Sequence, residues 1–261
     1  MLKYIKIWFY FLKEIFYYSY LLILDNIHLL FLIFVLTSLG IFGAKSTGIE
    51  HIWGIAIGVY AWYIFITELV MVNRKDQNMI NEIKSWSIIT FLNKPISFVG
   101  FYFSQTYFKT LLNILIIGGF CGIIIFSVLW VFPRFGIGPF LLFVFSFLVG
   151  IVLLALVSLM IALFAFILED STFVRLLINK LYFVFWWLFF PITIYPEWMQ
   201  TIAAWLPFKY YLYAPARFFT TGDIEFFISY FPIQLLRCAI LTWCVLLIYR
   251  KAVRNLEVNG G

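Results

Sequence analysis

Apolar runs long enough to cross a bilayer recur along this chain, and no other feature constrains its fold as strongly. The stretch from Gly138 to Leu168 carries no charged residue. About 20 such residues, rising about 1.5 Å each in a helix, match a hydrocarbon core roughly 30 Å thick. Of the 261 residues 65% are hydrophobic and 11% charged, and the mean hydropathy is +1.04. That excludes an ordinary soluble domain. The runs are apolar on all sides, without the alternation of an outer-membrane β-barrel strand. The chain reads as an all-α polytopic membrane protein with one domain over 1–261, no internal repeat and no soluble module.

Six spans are expected. They run from about Leu21 to Ala44, Ile52 to Val72, Ser97 to Val131, within Gly138 to Leu168, Phe173 to Phe190 and Phe227 to Tyr249. The third is longer than one crossing needs, so its first turns, marked by Lys109, should project beyond the bilayer. Glu169–Asp170–Ser171–Thr172 forms a turn that also caps the helix after it. Ahead of the first span, residues 1–19 have the pattern of an interfacial amphipathic helix. Lys3, Lys6, Tyr10, Lys13, Glu14 and Tyr17 share one face, and Tyr4, Ile5, Trp8, Leu12 and Ile15 the opposite one. The alternative is a ragged start to the first span. No cleavable signal peptide is expected, because Lys13 and Glu14 interrupt the early apolar stretch.

The net charge of +6 reads as topology, not as nucleic-acid binding. With six spans, one side holds Lys3, Lys6, Lys13, Arg74, Lys75, Lys84, Lys94, Lys109, Arg175, Lys180, Arg250, Lys251 and Arg254. The other holds Lys45, Arg134, Lys209 and Arg217. By the positive-inside rule both termini are cytoplasmic, in a multi-pass protein of the cell inner (cytoplasmic) membrane.

Between the fifth and sixth spans, residues 189–221 hold four of the eight prolines, Pro191, Pro196, Pro207 and Pro215. Proline lacks an N–H and fixes φ, so one continuous helix is disfavoured. The segment is too apolar and aromatic for a solvated loop. Short re-entrant half-helices dipping into the outer leaflet resolve that conflict, with Trp198 beside Pro196 on the first of them. An interfacial loop in an aromatic belt is the alternative. The four prolines and Trp198 are candidate outer-gate residues.

Charges inside spans are costly and are candidate functional residues. Asp25, Glu68 and Arg237 qualify, with structural pairing or solvation as the alternative. Gly118, Gly119 and Gly122 permit close helix approach. Cys121, Cys238 and Cys244 lie in apolar runs, without metal-ligand spacing or a disulfide framework. His28 and His51 fall on opposite sides of the membrane, so no metal site is expected. Gly43–Ala44–Lys45–Ser46–Thr47 is not a phosphate loop, since Ala44 and Leu39 stand where glycines are required. No catalytic residue and no bound cofactor is expected.

A polar, helix-capable island from Asn73 to about Pro95 separates the second and third spans. Within 81–94, Ile83, Trp86 and Ile89 form an anchor face by i, i+3 spacing. The order of four features resembles the permease subunits of ABC-2 type exporters, in the branch called ABC-2 family transporter protein. These are the N-terminal interfacial helix, the stretch Glu82–Ile83–Lys84–Ser85 to Phe91–Leu92–Asn93–Lys94–Pro95–Ile96–Ser97, the segment with Tyr195–Pro196 and Leu206–Pro207–Phe208, and the tail Val258–Asn259–Gly260–Gly261. Trp86 and Lys94 depart from that branch, which often has glycine and arginine near those places.

The resemblance implies a six-helix permease half that pairs with a second permease subunit, as a homodimer or a heterodimer. Residues 81–94 would be the coupling helix docking on a separate nucleotide-binding ATPase subunit, with Glu82, Ile83, Trp86, Ile89 and Lys94 in the contact. ATP and Mg would sit on that partner, and a hydrophobic or amphipathic substrate would move outward. An ion-coupled secondary carrier and a non-transporting membrane scaffold subunit are the alternatives. Membrane lipids are the remaining partners, and nucleic acid is not one.

Overall fold

A computed structural model of the chain describes residues 51–52, 55–71, 97–130, 132–133, 136–167 and 196–255, and the isolated helical positions Phe31, Phe34, Val35 and Ser38. The expected interfacial helix at 1–19, Asp25, the polar island with Glu82, Ile83, Trp86, Ile89 and Lys94, the turn at 169–172, the fifth span and Pro191 all lie outside the described residues.

The first elements are the shortest. His51–Ile52 (β1) pairs antiparallel with Ile55–Ala56 (β2), in register His51↔Ala56 and Ile52↔Ile55. Helix α1 follows at Ile57–Met71, so the expected second span loses its first residues to a hairpin. β-Branched isoleucines suit extended backbone.

Helix α2 covers Phe98–Leu129. Its N-cap is Ser97, whose Oγ accepts from the Gly100 N–H at 3.3 Å, filling one of the donors a helix start leaves open. It ends at Trp130, in the left-handed region at φ 54°, whose N–H donates to the Phe126 carbonyl. Helix α3 covers Ile137–Ile167. The proline-rich segment is divided into α4 (Glu197–Trp205), one turn of π-helix (Lys209–Tyr213) and α5 (Ala214–Thr221). Helix α6 covers Ile224–Asn255. Gly222, at φ 65°, closes α5, and Asp223 opens α6 by accepting from the Phe226 N–H at 3.1 Å. Only glycine adopts that φ without cost.

Phe98–Ser127, Ile137–Phe164 and Ile224–Lys251 are long and apolar enough to cross a membrane, and Val59–Val70 is a shorter apolar helix. The chain is thus a helical membrane protein. Helix directions follow from the contacts. Along α1 and α2, Trp62 meets Gly122 and Leu69 meets Gly118, so these two are antiparallel. Along α3 and α6, Ser146 meets Gln234 and Val149 meets Cys238, so these two are parallel.

The bundle therefore has two distinct ends. At one, Phe98 at the start of α2 stacks on Tyr249 near the end of α6, with centroids 5.8 Å apart and planes 3° apart. At the other, Phe219 of α5 packs on Trp62, Phe132 and Phe143, at 6.0, 5.8 and 4.6 Å. The core between them is built from α1, α3 and the proline-rich segment, with Tyr63, Leu153, Leu163 and Tyr211 nearly inaccessible. The expected close approach at the glycines is seen twice. A Cβ on Gly118 would stand 3.1 Å from Leu69, and one on Gly122 would stand 3.8 Å from Phe65, whereas Gly119 faces nothing within 4 Å.

Candidate functional site

The proline-rich segment is folded into the bundle. Pro196 forms the N-cap of α4, accepting from the Met199 and Gln200 N–H groups at 2.9 and 3.0 Å, and Glu197 sits at the positive helix end. Trp198 is 65% exposed and Trp205 75% exposed, so the first short helix presents aromatic rings outward. After Pro207 the chain goes inward. Phe208, Tyr210, Tyr211, Leu212 and Tyr213 are all buried.

Prolines set the hydrogen bonding of this turn. In the π-helical register the Ala214 N–H donates to the Lys209 carbonyl. The next donor in that register, toward the Tyr210 carbonyl, would be residue 215. That residue is Pro215, which has no N–H. A side chain from α6 fills the gap: Gln234 Nε2 donates to the Tyr210 carbonyl at 3.1 Å and to the Ser146 carbonyl at 3.0 Å. Ser146 Oγ donates back to Gln234 Oε1 at 3.1 Å and lies 2.8 Å from the Tyr230 hydroxyl. Ser146 and Gln234 are 0% exposed, so α3, α6 and the turn are tied by a closed polar knot. π-Turns inside helical structure recur at functional sites.

Arg237 has the partner its depth requires. It donates to the carbonyl oxygens of Trp205 and, at 2.8 Å, of Ala204. Its guanidinium lies 5.0 Å from the Tyr210 ring centre. Those carbonyls are the open end of α4, where a cation meets the negative helix terminus. Arg217 of α5 donates to the Tyr213 hydroxyl at 2.8 Å and covers the Phe226 ring at 4.4 Å. Lys209 begins the turn itself. It belongs to none of the three spans, and burial, then the charges of Arg217 and Arg237, hold its pKa below the ordinary lysine value. Three cations thus gather around five residues.

Of the expected site residues, Pro196, Trp198, Pro207, Pro215 and Arg237 come together in or against this segment. Glu68 does not. It is 1% exposed on α1, beside Thr67, whose hydroxyl bonds its own helix at the Tyr63 carbonyl. All three cysteines are free thiols. Sequence reasoning missed Ser146, Tyr230 and Gln234. The available signal was their polarity inside otherwise apolar spans.

Fold and site together define a polytopic helical membrane protein with a short-helix segment packed into its bundle. No family model, curated protein or solved structure matches the chain.

Proposed function

We propose that the chain is the permease subunit of an ABC-2 type exporter, moving a hydrophobic or amphipathic substrate outward. ATP is hydrolysed on a separate subunit, and a second permease subunit completes the path. The observation that carries this reading is the two-ended bundle. The start of α2, which follows the polar island, shares an end with the last turns of α6, through the Phe98–Tyr249 stack. The proline-rich segment packs into the opposite half. A coupling helix on one side and re-entrant elements on the other is what such a permease needs. The parallel packing of α3 and α6 also fits six spans, because the chain between them must return to its starting end.

In this reading the Phe98 end is cytoplasmic, both termini lie there, and Glu82, Ile83, Trp86, Ile89 and Lys94 meet the ATPase. Pro191, Pro196, Trp198, Pro207 and Pro215 belong to an outer gate. The test is recovery of the tagged chain from its native membranes. An ATPase subunit should co-purify, and Trp86→Asp with Ile89→Asp should abolish its substrate stimulation while leaving the chain folded. Unchanged stimulation and complex recovery in that variant would sink the coupling assignment. Proton- or sodium-driven flux by the chain alone would favour a carrier instead.

A further inference from the structure

We propose that Lys209, Arg217 and Arg237 form a binding site for the phosphate group of an amphiphile. The proposal holds whether or not the chain exports anything. All three cations rest on one turn. Lys209 begins it, Arg237 lies over the Tyr210 ring, and Arg217 is bonded to the Tyr213 hydroxyl. Each is half-buried.

Their charges are not neutralised within the described residues, where none of the three forms an ion pair. Asp223, the acid nearest Arg217 along the chain, is already the N-cap of α6. The Lys209 side chain makes no hydrogen bond among the described residues. A guanidinium has five N–H donors. Arg217 uses one and Arg237 two on the contacts above, so donors remain on both. Uncompensated cations facing one another are unfavourable, and an arriving anion would relieve them.

Depth and surroundings define the rest of the ligand. Arg237 lies thirteen residues after Ile224, the start of α6, or about 20 Å along the helix. A cation so far along a span is expensive unless it is paired, and the two carbonyls that hold Arg237 bring it no counter-charge. Beside it on α6, Leu236, Ile240 and Trp243 are 59%, 50% and 64% exposed. A ligand here meets clustered positive charge at its head and apolar side chains along its tail. Guanidinium groups match phosphate oxygens in pairs, and a lysine adds a point charge.

Native mass spectrometry of the purified chain in detergent tests this. The probes are phosphatidic acid, phosphatidylglycerol and a neutral diacylglycerol glucoside with the same acyl chains. The wild type should retain the two phospholipids about tenfold more tightly than the glucoside, and Lys209→Gln with Arg217→Gln should remove most of that preference. Arg237 is spared because it also holds α4. Lys209→Gln alone, whose side chain has no hydrogen bond to lose among the described residues, should weaken retention without lowering the melting temperature. Displacement by inorganic phosphate would assign the site to the anion itself, and resistance to it would assign the site to lipid-borne phosphate. Equal retention of charged and neutral lipids, or unchanged preference in the folded double variant, would overturn the proposal.

Discussion

Gln234 supplies to the Tyr210 carbonyl the hydrogen bond that Pro215 withholds, across 3.1 Å. A glutamine on α6 and a proline on α5 are therefore one device, and the π-helical turn depends on both. Replacing Gln234 by Leu leaves the Tyr210 carbonyl and Ser146 short of partners in a fully buried place. Single hydrogen bonds between membrane helices average about 0.6 kcal/mol, but a buried orphan costs about 1–3 kcal/mol. The expected loss is about 2 kcal/mol in thermal or denaturant unfolding in detergent. Pro215→Ala restores an N–H, so Gln234→Leu should cost measurably less in that background. Equal costs in both backgrounds would dissociate the two residues.

Arg237→Met should loosen the end of α4. It removes two charge-assisted bonds to the Ala204 and Trp205 carbonyls and the contact with the Tyr210 ring. Each such bond is worth about 1.5–3 kcal/mol when buried, and less here because Arg237 is partly accessible. A loss of about 2 kcal/mol is expected, with faster proteolysis near Leu206. Arg237→Lys should recover part of it, because a single ammonium cannot span both carbonyls as a guanidinium fork does. An unaltered proteolysis pattern in Arg237→Met would count against the capping role.

The glycines of α2 offer an internal control. Gly118→Val places methyl groups against Leu69, where even a Cβ would stand at 3.1 Å, and should cost about 1–3 kcal/mol through overpacking. Gly119→Ala meets nothing within 4 Å and should be neutral or stabilising by up to about 1 kcal/mol through helix propensity. Paired unfolding measurements check the contrast. Equal effects at the two positions would mean that α1 does not pack on Gly118.

What was legible in the sequence follows the range over which each cause acts. The apolar runs at 98–127, 137–164 and 224–251 declare their helices locally, since hydrocarbon thickness sets one length for all of them. Ser97 and Pro196 announce helix starts for equally local reasons. The strand residues Ile52, Ile55 and Ala56 read from the sequence as the start of the second span, because isoleucines serve both states. The polar knot was not legible. Ser146 and Gln234 lie 88 positions apart in the chain, and nothing near either names the other. Arg237 was recognised as needing a partner. That the partner would be the end of α4 depended on where Pro207 turns the chain.

Lys209 should give phosphate binding and stability opposite responses to alkali. Its pKa is lowered first by burial and then by Arg217 from α5 and Arg237 from α6. Tyr210, Tyr211 and Tyr213 are the other titratable residues of the turn, and burial raises the Tyr213 phenol above its ordinary value. Between the lowered value in the folded chain and the ordinary value of about 10.4, the unfolded chain binds more protons at this position. Folding stability should therefore rise as pH climbs through that window and the buried ammonium loses its charge. Phosphate binding should fall over the same window, because the charge that attracts the anion is the one being lost. Lys209→Arg keeps its charge and should hold phosphatidic acid with little change from about pH 7 to about pH 10, where the wild type weakens. Retention measured across that range in the two proteins decides the matter. A parallel decline in both would remove Lys209 from the site.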